Sequence, residues 1–161
     1  MKNSLAQWKL KLEIGDIYLV ASERGLQSIY FHKERNVPYL NNLEEKNPQT
    51  EILTQAYREL TEYFAGTRKI FTVPLDVQGT EFQNRVWAEL RKIPYGKTCS
   101  YKEIASRLKT NAIRAVGTAN GRNPLSIIIP CHRVINTGGG LGGYSGGLDI
   151  KRKLLALEAE F

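Results

Sequence analysis

The spacing of apolar residues changes near the middle of the chain, and this change limits the possible folds more than any other feature. Between residues 8 and 31, apolar residues alternate with polar ones in three short runs, which Gly15-Asp16 and Arg24-Gly25 separate as turns. This pattern predicts a β-meander. From residue 80 onward the spacing becomes helical. We therefore expect an α/β (α+β) chain with two domains, residues 1–75 and 79–161.

One helix is predicted in the first domain, after a loop over residues 32–48, and Gly66 would end it. Residues 71–76 are expected to form a strand or an extended linker, so the domain boundary should fall between about residue 72 and residue 80. The predicted apolar face of the helix follows helical spacing and consists of Leu53, Ala56, Tyr57, Leu60 and Phe64.

Two capping boxes, Thr80-x-x-Gln83 and Ser100-x-x-Glu103, predict helix starts in the second domain. The second box begins a short helix over residues 101–108, which breaks at residues 109–111 and restarts at Ala112. Two short helices joined by a three-residue turn predict a helix-turn-helix. The apolar face of the helix that the first box begins consists of Phe82, Val86, Trp87 and Leu90.

The second helix of this pair has two different faces. A long cation surrounded by very small side chains can approach a phosphate backbone closely. The alternative is ordinary helix packing with an exposed arginine. However, each glycine lowers helix stability by about 1 kcal/mol relative to alanine, and helix packing alone seldom requires glycine on a polar face. The cationic face carries Arg114, Gly117, Thr118 and Gly121, and the apolar face carries Ala112, Ala115, Val116 and Ala119.

The positive charge of the chain is confined to its second half. Residues 1–78 contain 10 Lys and Arg against 10 Asp and Glu, whereas residues 79–161 contain 13 against 6. A basic half beside a neutral half indicates a module that binds a polyanion such as nucleic acid, together with a partner domain. The alternative is that the positive charges only make the surface soluble, but this role would not require them to be concentrated in one half of the chain.

Cys131 lies in the apolar run Ile-Ile-Ile-Pro-Cys-His-Arg-Val-Ile, next to His132 and Arg133. A thiolate is the reactive form of cysteine, and imidazole and guanidinium groups lower the pKa of a thiol. The pattern therefore favours a nucleophile over the alternative, a small residue of the core. We expect this run to be extended, so that adjacent side chains point to opposite sides and Cys131 does not contact His132 directly.

The cysteine spacing favours a reducing compartment. The two cysteines, 32 positions apart, form neither a disulfide framework nor a tetrahedral zinc site, and we expect no metal. No run approaches the roughly 20 apolar residues of a membrane span, and the N-terminus lacks a signal-peptide core. These patterns favour a soluble protein of the cytoplasm that does not bind membranes.

Seven glycines fall between Gly138 and Gly147. The run satisfies G-x-G-x-x-G, but no ribose-binding acid or Gly-Lys-Ser/Thr follows, so a dinucleotide or phosphate site is not favoured. Instead, glycine backbone can approach a planar ligand closely, and Tyr144 and Ser145 supply hydroxyl groups at the far end of the run.

Motifs over residues 79–158 closely resemble the O6-alkylguanine-DNA alkyltransferases. The resemblance implies an RNase H-like N-terminal domain, followed by a mainly helical, winged helix-turn-helix-like domain that carries the active site and binds DNA. The first half resembles the family only in its general layout. The motifs that carry the resemblance are Gly79-Thr80-Glu81-Phe82-Gln83, Val86-Trp87, Ile93-Pro94-Tyr95-Gly96, Ser100-Tyr101, Arg114-Ala115-Val116-Gly117, Ala119-Asn120, Asn123-Pro124, Ile129-Pro130-Cys131-His132-Arg133-Val134 and Gly143-Tyr144-Ser145-Gly146-Gly147.

The resemblance implies direct reversal of DNA damage by a monomer that needs no cofactor. Its partner would be double-stranded DNA containing O6-alkylguanine, which would be flipped out because the alkyl carbon cannot be reached inside a duplex. Cys131 would accept the alkyl group in one irreversible transfer, so that each molecule acts once. Two alternatives remain open: a damage-sensing protein that binds without transfer, and a cysteine hydrolase, which would require a direct Cys-His pair.

The resemblance also assigns roles to individual residues. Arg114 would occupy the vacated base stack, Tyr101 would donate a proton to the departing guanine, and a water would link His132 to the thiol. The implied catalytic residues are Cys131, His132, Glu158 and Tyr101; the implied DNA-binding residues are Arg114, Tyr101, Ala115, Gly117, Thr118 and Arg122; and the implied substrate pocket consists of Val134, Tyr144, Ser145 and Asn123, with Asn123 holding the reactive turn.

Two departures from the family pattern affect these expectations. The turn at residues 109–111 is at least one residue shorter than is usual in the family, and Asn111 is expected to supply left-handed backbone geometry there. Relatives that bind structural zinc use N-terminal cysteines with a histidine. Because this chain has only His32 in that region, we expect no zinc.

Overall fold

The computed structural model describes residues 4–32, 37–40 and 43–161, so part of the predicted loop over residues 32–48 lies outside the described residues. The chain divides into two compact units, Met1–Gln78 and Gly79–Phe161. Each unit has its own buried apolar core.

The first unit contains a three-stranded antiparallel sheet with the order β1-β2-β3, so the predicted β-meander is confirmed. β1 is Ala6–Leu12, β2 is Gly15–Ala21 and β3 is Leu26–Tyr30. In β2, Ile17 and Leu19 are fully buried while Tyr18 is half-buried, but Val20 and Ala21 at the end of the strand are buried as well, so the alternation holds only over its first part.

The helix α1, Pro48–Phe64, packs against this sheet. Its predicted apolar face is wrong at Tyr57, which is 43% exposed, whereas Tyr63 is fully buried. The buried stripe runs through Leu53, Ala56, Leu60 and Tyr63. Tyr57 lies at the edge of this stripe. Which side of a helix becomes buried depends on the sheet that packs against it and not only on the spacing of its apolar residues.

The segment over residues 71–76 is extended and forms only an isolated parallel bridge to β3, between Leu26 and Leu75. Leu26 donates its backbone N–H to the Pro74 carbonyl at 2.8 Å, and Asp76 donates to the Leu26 carbonyl at 2.9 Å. The buried carboxylate of Glu59 accepts hydrogen bonds from the backbone N–H groups of Thr72 and Val73, which fastens the start of this segment to α1.

The second unit is mainly helical, with one short two-stranded parallel sheet. Both predicted capping boxes are confirmed: Thr80 Oγ1 accepts from the Gln83 N–H at 3.1 Å, and Ser100 Oγ accepts from the Glu103 N–H at 3.0 Å. Its elements are α2 (Glu81–Leu90), β4 (Cys99–Ser100), α3 (Tyr101–Arg107), α4 (Ile113–Gly121), a 3₁₀ turn (Cys131–Arg133), β5 (Val134–Ile135) and α5 (Leu148–Glu160).

Helices α3 and α4 form the predicted helix pair, but the left-handed residue between them is Lys109, with φ +56°, and not Asn111. Leu108 caps α3, and the residue directly after a cap is the one that usually turns left-handed. The Thr110 N–H then donates to the Ala105 carbonyl at 3.0 Å, which closes the end of the helix. Asn111 lies too far beyond the cap to serve this purpose.

The predicted apolar face of α4 is also partly wrong. Ala112 and Ala115 are exposed, whereas Val116, Ala119 and Asn120 are buried. The helix packs against α2 and α3, and the Trp87 indole N–H donates to the Ala119 carbonyl at 2.9 Å. Alanine fits either a core or a surface, so its spacing does not identify the buried face.

Within the part of the chain that the structure describes, no helix is both long and apolar enough to span a lipid bilayer.

Candidate active site

Cys131 lies in the 3₁₀ turn Cys131–Arg133, so the prediction of an extended segment at this point is wrong. The turn is closed by a hydrogen bond from the Arg133 N–H to the Pro130 carbonyl at 3.0 Å. The buried side chain of Asn123 supports it, because Asn123 donates through Nδ2 to the Ile129 carbonyl at 2.7 Å and accepts through Oδ1 from the Leu125 N–H at 2.9 Å. Asn123 thus holds the backbone that leads into Cys131.

The Cys131 side chain borders a cavity of about 280 Å³ between α4, the 3₁₀ turn and the glycine-rich segment. Its other lining side chains come from Tyr101, Asn120, Tyr144 and Ser145, and glycine backbone forms the remainder. Cys131 itself is only 4% exposed. The cavity therefore gives a planar ligand a route to a thiol that is otherwise covered by protein.

Burial raises the pKa of the Cys131 thiol, although a hydrogen bond with Asn123 and the positive charge of Lys151 oppose this effect. The expectation that Arg133 and the neighbouring imidazole lower this pKa is wrong. The guanidinium of Arg133 instead forms a bidentate pair with the buried carboxylate of Glu158, 25 positions further along the chain: Nη2 donates to Oε1 and Nε donates to Oε2. The thiol is consequently protonated at neutral pH and requires a base to become reactive.

His132, Arg133 and Glu158 form one buried cluster. His132 Nε2 lies 3.0 Å from Glu158 Oε2, and Arg133 Nε donates to Glu158 Oε1 at 2.8 Å. Arg133 Nη1 also donates to the Ile93 carbonyl at 2.7 Å. Burial alone would raise the pKa of the Glu158 carboxyl, but the hydrogen bonds from His132 and Arg133 outweigh it and lower the pKa, so Glu158 is ionised.

This cluster selects one tautomer of His132. An ionised carboxylate can only accept, so the proton of a neutral imidazole lies on Nε2. Burial lowers the pKa of His132, which keeps the ring neutral. Nδ1 is buried and has no hydrogen-bond partner among the described residues. His132 therefore presents an unprotonated nitrogen that can accept a proton through a bridging water.

If His132 serves as the base for Cys131, the pH dependence of the Cys131 reaction follows from the lowered pKa of His132. We expect a constant rate through neutral pH and a decline only below about pH 6.5, the ordinary pKa of histidine, because burial keeps His132 unprotonated down to that value. The free energy of unfolding should fall over the same range, since unfolded His132 binds a proton there before folded His132 does. Single-turnover rates and urea unfolding between pH 5 and 8 measure both effects; a decline centred above pH 6.5, or one that persists in His132→Gln, would contradict the assignment.

Lys151 is a buried residue that sequence reasoning missed. Its Nζ is fully enclosed and donates to the carbonyls of Val134, at 2.6 Å, Leu141 and Gly143. The ammonium thus fastens the glycine-rich segment to the strand that follows Cys131. The sequence spacing could have indicated that Lys151 is buried. It lies three residues before Leu154 and seven before Glu158, so it shares their buried helix face.

The half-buried Tyr101, the first residue of α3, lies close to two glycines. A Cβ atom at Gly142, where φ is +70°, would be 3.0 Å from the Tyr101 hydroxyl, and a Cβ at Gly117 would be 3.9 Å from the ring. Gly142 therefore makes room for Tyr101 itself. Burial raises the pKa of Tyr101, so the hydroxyl keeps its proton at neutral pH and can donate it.

Apart from Tyr101, which begins α3, the residues expected to contact DNA lie on α4 or at its end. Arg114, Ala115 and Thr118 are exposed, Gly117 borders the cavity, and Arg122 caps the helix and is exposed. The same helix thus carries both the cationic surface and one wall of the cavity that contains Cys131.

The implied pocket residues divide into two groups. Tyr144 and Ser145 border the cavity, and Ser145 Oγ lies 3.4 Å from Ser126 Oγ. Val134 is fully buried, and its carbonyl accepts from Lys151.

Within the described ranges, no group of three or more His, Cys, Asp or Glu side chains is arranged to hold a metal ion.

Comparison with protein families gives two matches along this chain. Residues 5–77 match the ribonuclease-like domain, and residues 81–160 match the DNA-binding domain, of 6-O-methylguanine DNA methyltransferase. These two matches confirm the predicted α/β architecture, with a ribonuclease-like first domain and a DNA-binding second domain.

Individual relatives agree with this assignment. A methylated-DNA--protein-cysteine methyltransferase of Methanosarcina acetivorans is 48% identical over 146 residues, which cover 90% of this chain and 92% of the relative. A protein of the same name from Mycobacterium tuberculosis is 53% identical over 112 residues, 69% of this chain and 68% of the relative. The crystal structure of Mycobacterium tuberculosis OGT in complex with DNA superposes with a TM-score of 0.85 at 39% identity, covering 96% of this chain and 93% of that one.

Proposed function

Because the chain belongs to the 6-O-methylguanine DNA methyltransferase family, we propose that it repairs DNA by moving the alkyl group of O6-alkylguanine irreversibly onto its own Cys131. The observation that carries this proposal is the position of the Cys131 thiol, at the wall of a cavity and beside the buried cluster of His132, Arg133 and Glu158. We also propose that the domain boundary lies between residues 75 and 79 and that the protein is located in the cytoplasm.

The transfer is a displacement at the alkyl carbon. The Cys131 sulfur forms a bond with this carbon while the bond from the carbon to O6 breaks, and the electrons of that bond leave with guanine. The thiol proton passes through a water to His132 Nδ1, and guanine takes a proton from the Tyr101 hydroxyl. Glu158 stabilises the imidazolium that forms. Since the thiol itself is the acceptor, the reaction needs no cofactor.

Duplex DNA is the proposed partner, and the damaged base must leave the stack to reach the cavity. The second unit, with 13 basic and 6 acidic residues, supplies sequence-independent attraction to phosphates, and this attraction weakens as salt is added. Arg114, which is exposed at the start of α4, would fill the space that the base leaves. Thr118 and Arg122 extend the same surface along the helix.

Stoichiometry separates this proposal from its two alternatives. A damage-sensing protein without transfer would gain no methyl group, and the presence of Cys131 argues against it. A cysteine hydrolase would turn over many times, and no hydrogen bond pairs Cys131 with His132 among the described residues. Intact-mass spectrometry after incubation with DNA containing O6-methylguanine should show a gain of one methyl group per chain. A gain of none, or product in excess of protein, would refute the proposal.

Arg114→Ala is expected to slow the repair of duplex DNA by at least about tenfold, the factor that corresponds to about 1.4 kcal/mol. Reaction with free O6-alkylguanine base should change little, because the thiol and its cluster are untouched. Single-turnover rates with both substrates test this difference, and Arg152→Ala, an exposed cation on α5, is the matched control. Equal slowing of duplex and free base by Arg114→Ala would show that Arg114 supports the fold or the thiol instead.

A further inference from the structure

Lys109 follows the cap of α3 and has left-handed backbone geometry, with φ +56°. The position after a helix cap usually belongs to glycine, because a Cβ atom makes this conformation unfavourable. Within the described ranges, the only other residue besides glycine with a positive φ is Ile127, and burial of its apolar side chain compensates for the strain. The Lys109 side chain is exposed, so burial gives no such compensation.

Hydrogen bonds fix the backbone on both sides of Lys109. The Lys109 N–H donates to the Ser106 carbonyl at 3.0 Å. From α2, the guanidinium of Arg85 donates to the Leu108 carbonyl at 3.2 Å. Unfavourable backbone geometry persists where the surrounding structure determines it in this way, so the turn cannot relax while these bonds are present.

No interaction within the described part of the protein explains why a lysine occupies this position. Among these residues, the Lys109 ammonium group forms no hydrogen bond and no ion pair. Residues that are held in strained geometry often serve a function. What an exposed ammonium group offers is a positive charge and three hydrogen-bond donors for an anion outside the protein.

The charge pattern around Lys109 favours DNA phosphate as this anion. Residues 104–148 contain no Asp or Glu. The turn leads directly into α4, the helix that carries Arg114 at its start. A phosphate group at the turn would therefore meet no acidic side chain from this stretch of the chain. The exposed cations within the stretch are Arg107, Lys109, Arg114 and Arg122.

We propose that Lys109 binds a backbone phosphate of duplex DNA, and that this contact is the reason why the strained turn carries a lysine although glycine would be more stable there. The inference rests on the proposed function. Phosphate contacts carry no information about the bases, so Lys109 should bind damaged and undamaged duplexes equally well. This role differs from the one proposed for Arg114, which acts only when a base leaves the stack.

The test measures binding to an undamaged duplex at several salt concentrations. Lys109→Ala removes the charge but keeps the Cβ atom, so the affinity should fall about 5- to 10-fold at about 0.1 M salt, the contribution of one released counterion. The slope of log K against log salt concentration should decrease in magnitude by about 0.9. Lys109→Arg should bind like the wild-type protein. Lys153→Ala, which removes an exposed lysine of α5, is the matched control and should retain the wild-type affinity.

Lys109→Gly separates the strain from the charge. This variant should bind DNA as weakly as Lys109→Ala does. It should nevertheless melt about 2–4 °C above the wild-type protein, because glycine adopts left-handed geometry without strain. A melting temperature no higher than that of the wild-type protein would contradict the strain on which the inference depends.

The outcomes separate the inference from the proposed function. Wild-type affinity in Lys109→Ala, or an equal loss of affinity in Lys153→Ala, would overturn the inference. A loss confined to the damaged duplex would overturn it as well, because a phosphate contact does not depend on the base. A wild-type protein that binds no duplex would instead refute the proposed function. Transfer from free O6-alkylguanine base should proceed at the wild-type rate in every variant, which would show that the thiol and its cluster are intact.

Discussion

Cys131→Ala is expected to abolish methyl transfer completely, whereas the wild-type protein should gain one methyl group on Cys131. The expectation rests on the 3₁₀ turn, which places the thiol at the cavity wall, and on His132, whose free nitrogen can take the thiol proton. No other side chain of the cavity is a comparable nucleophile. Intact-mass spectrometry followed by peptide mapping measures both the number of methyl groups and their position.

Cys99→Ala is the matched control for this experiment. Cys99 is also buried, and burial together with a hydrogen bond to Glu103 raises its pKa to about 11. At pH 7 only about one Cys99 in ten thousand is then a thiolate, so this residue should not compete as the acceptor. The Cys99→Ala protein should retain the wild-type rate. Methylation mapped to Cys99, or transfer that survives in Cys131→Ala, would be incompatible with the proposed acceptor.

Arg133→Met is expected to lower the free energy of unfolding by about 3–5 kcal/mol, because it leaves the buried Glu158 carboxylate without its bidentate partner. The pKa of Glu158 should rise as a result, and the transfer rate should fall because His132 loses the anion that orients it. The variant also frees the Ile93 carbonyl, which accepts from Arg133 in the native protein. Thermal unfolding and single-turnover transfer rates measure these effects.

Two further variants show whether the effect belongs to the buried pair. Arg133→Lys keeps the charge but cannot form the bidentate pair, so its loss of stability should be intermediate. Arg152→Met removes a surface cation paired with Asp149 and should change stability by no more than about 1 kcal/mol. If Arg133→Met were no less stable than Arg152→Met, the cluster would not contribute to the stability of the second unit.

Local interactions explain why parts of the fold could be predicted. The capping boxes at Thr80 and Ser100 join residues only three positions apart, and the turns of the β-meander are equally local. Their geometry is determined by a few neighbouring side chains and backbone groups. Cys131, His132 and Glu158 were identified by resemblance to a family, and the structure brings His132 and Glu158 together.

Predictions that depended on the packing partner were less accurate. The spacing of Tyr57 and of Ala112 and Ala115 is compatible with burial, but all three are exposed. Whether a helix buries one flank or the other depends on the elements packed against it, and these are distant in sequence. The same reason applies to Arg133, which was expected to act on Cys131, two positions away, and instead pairs with Glu158.

The sequence by itself determined the β-meander and the helix starts at the two capping boxes, and it predicted Cys131 as the reactive cysteine. Only the tertiary structure decided which buried polar groups meet. Arg133 reaches Ile93, 40 positions away, and Lys151 reaches Val134, 17 positions away. Such pairings depend on distances in the folded chain, which local periodicity does not encode.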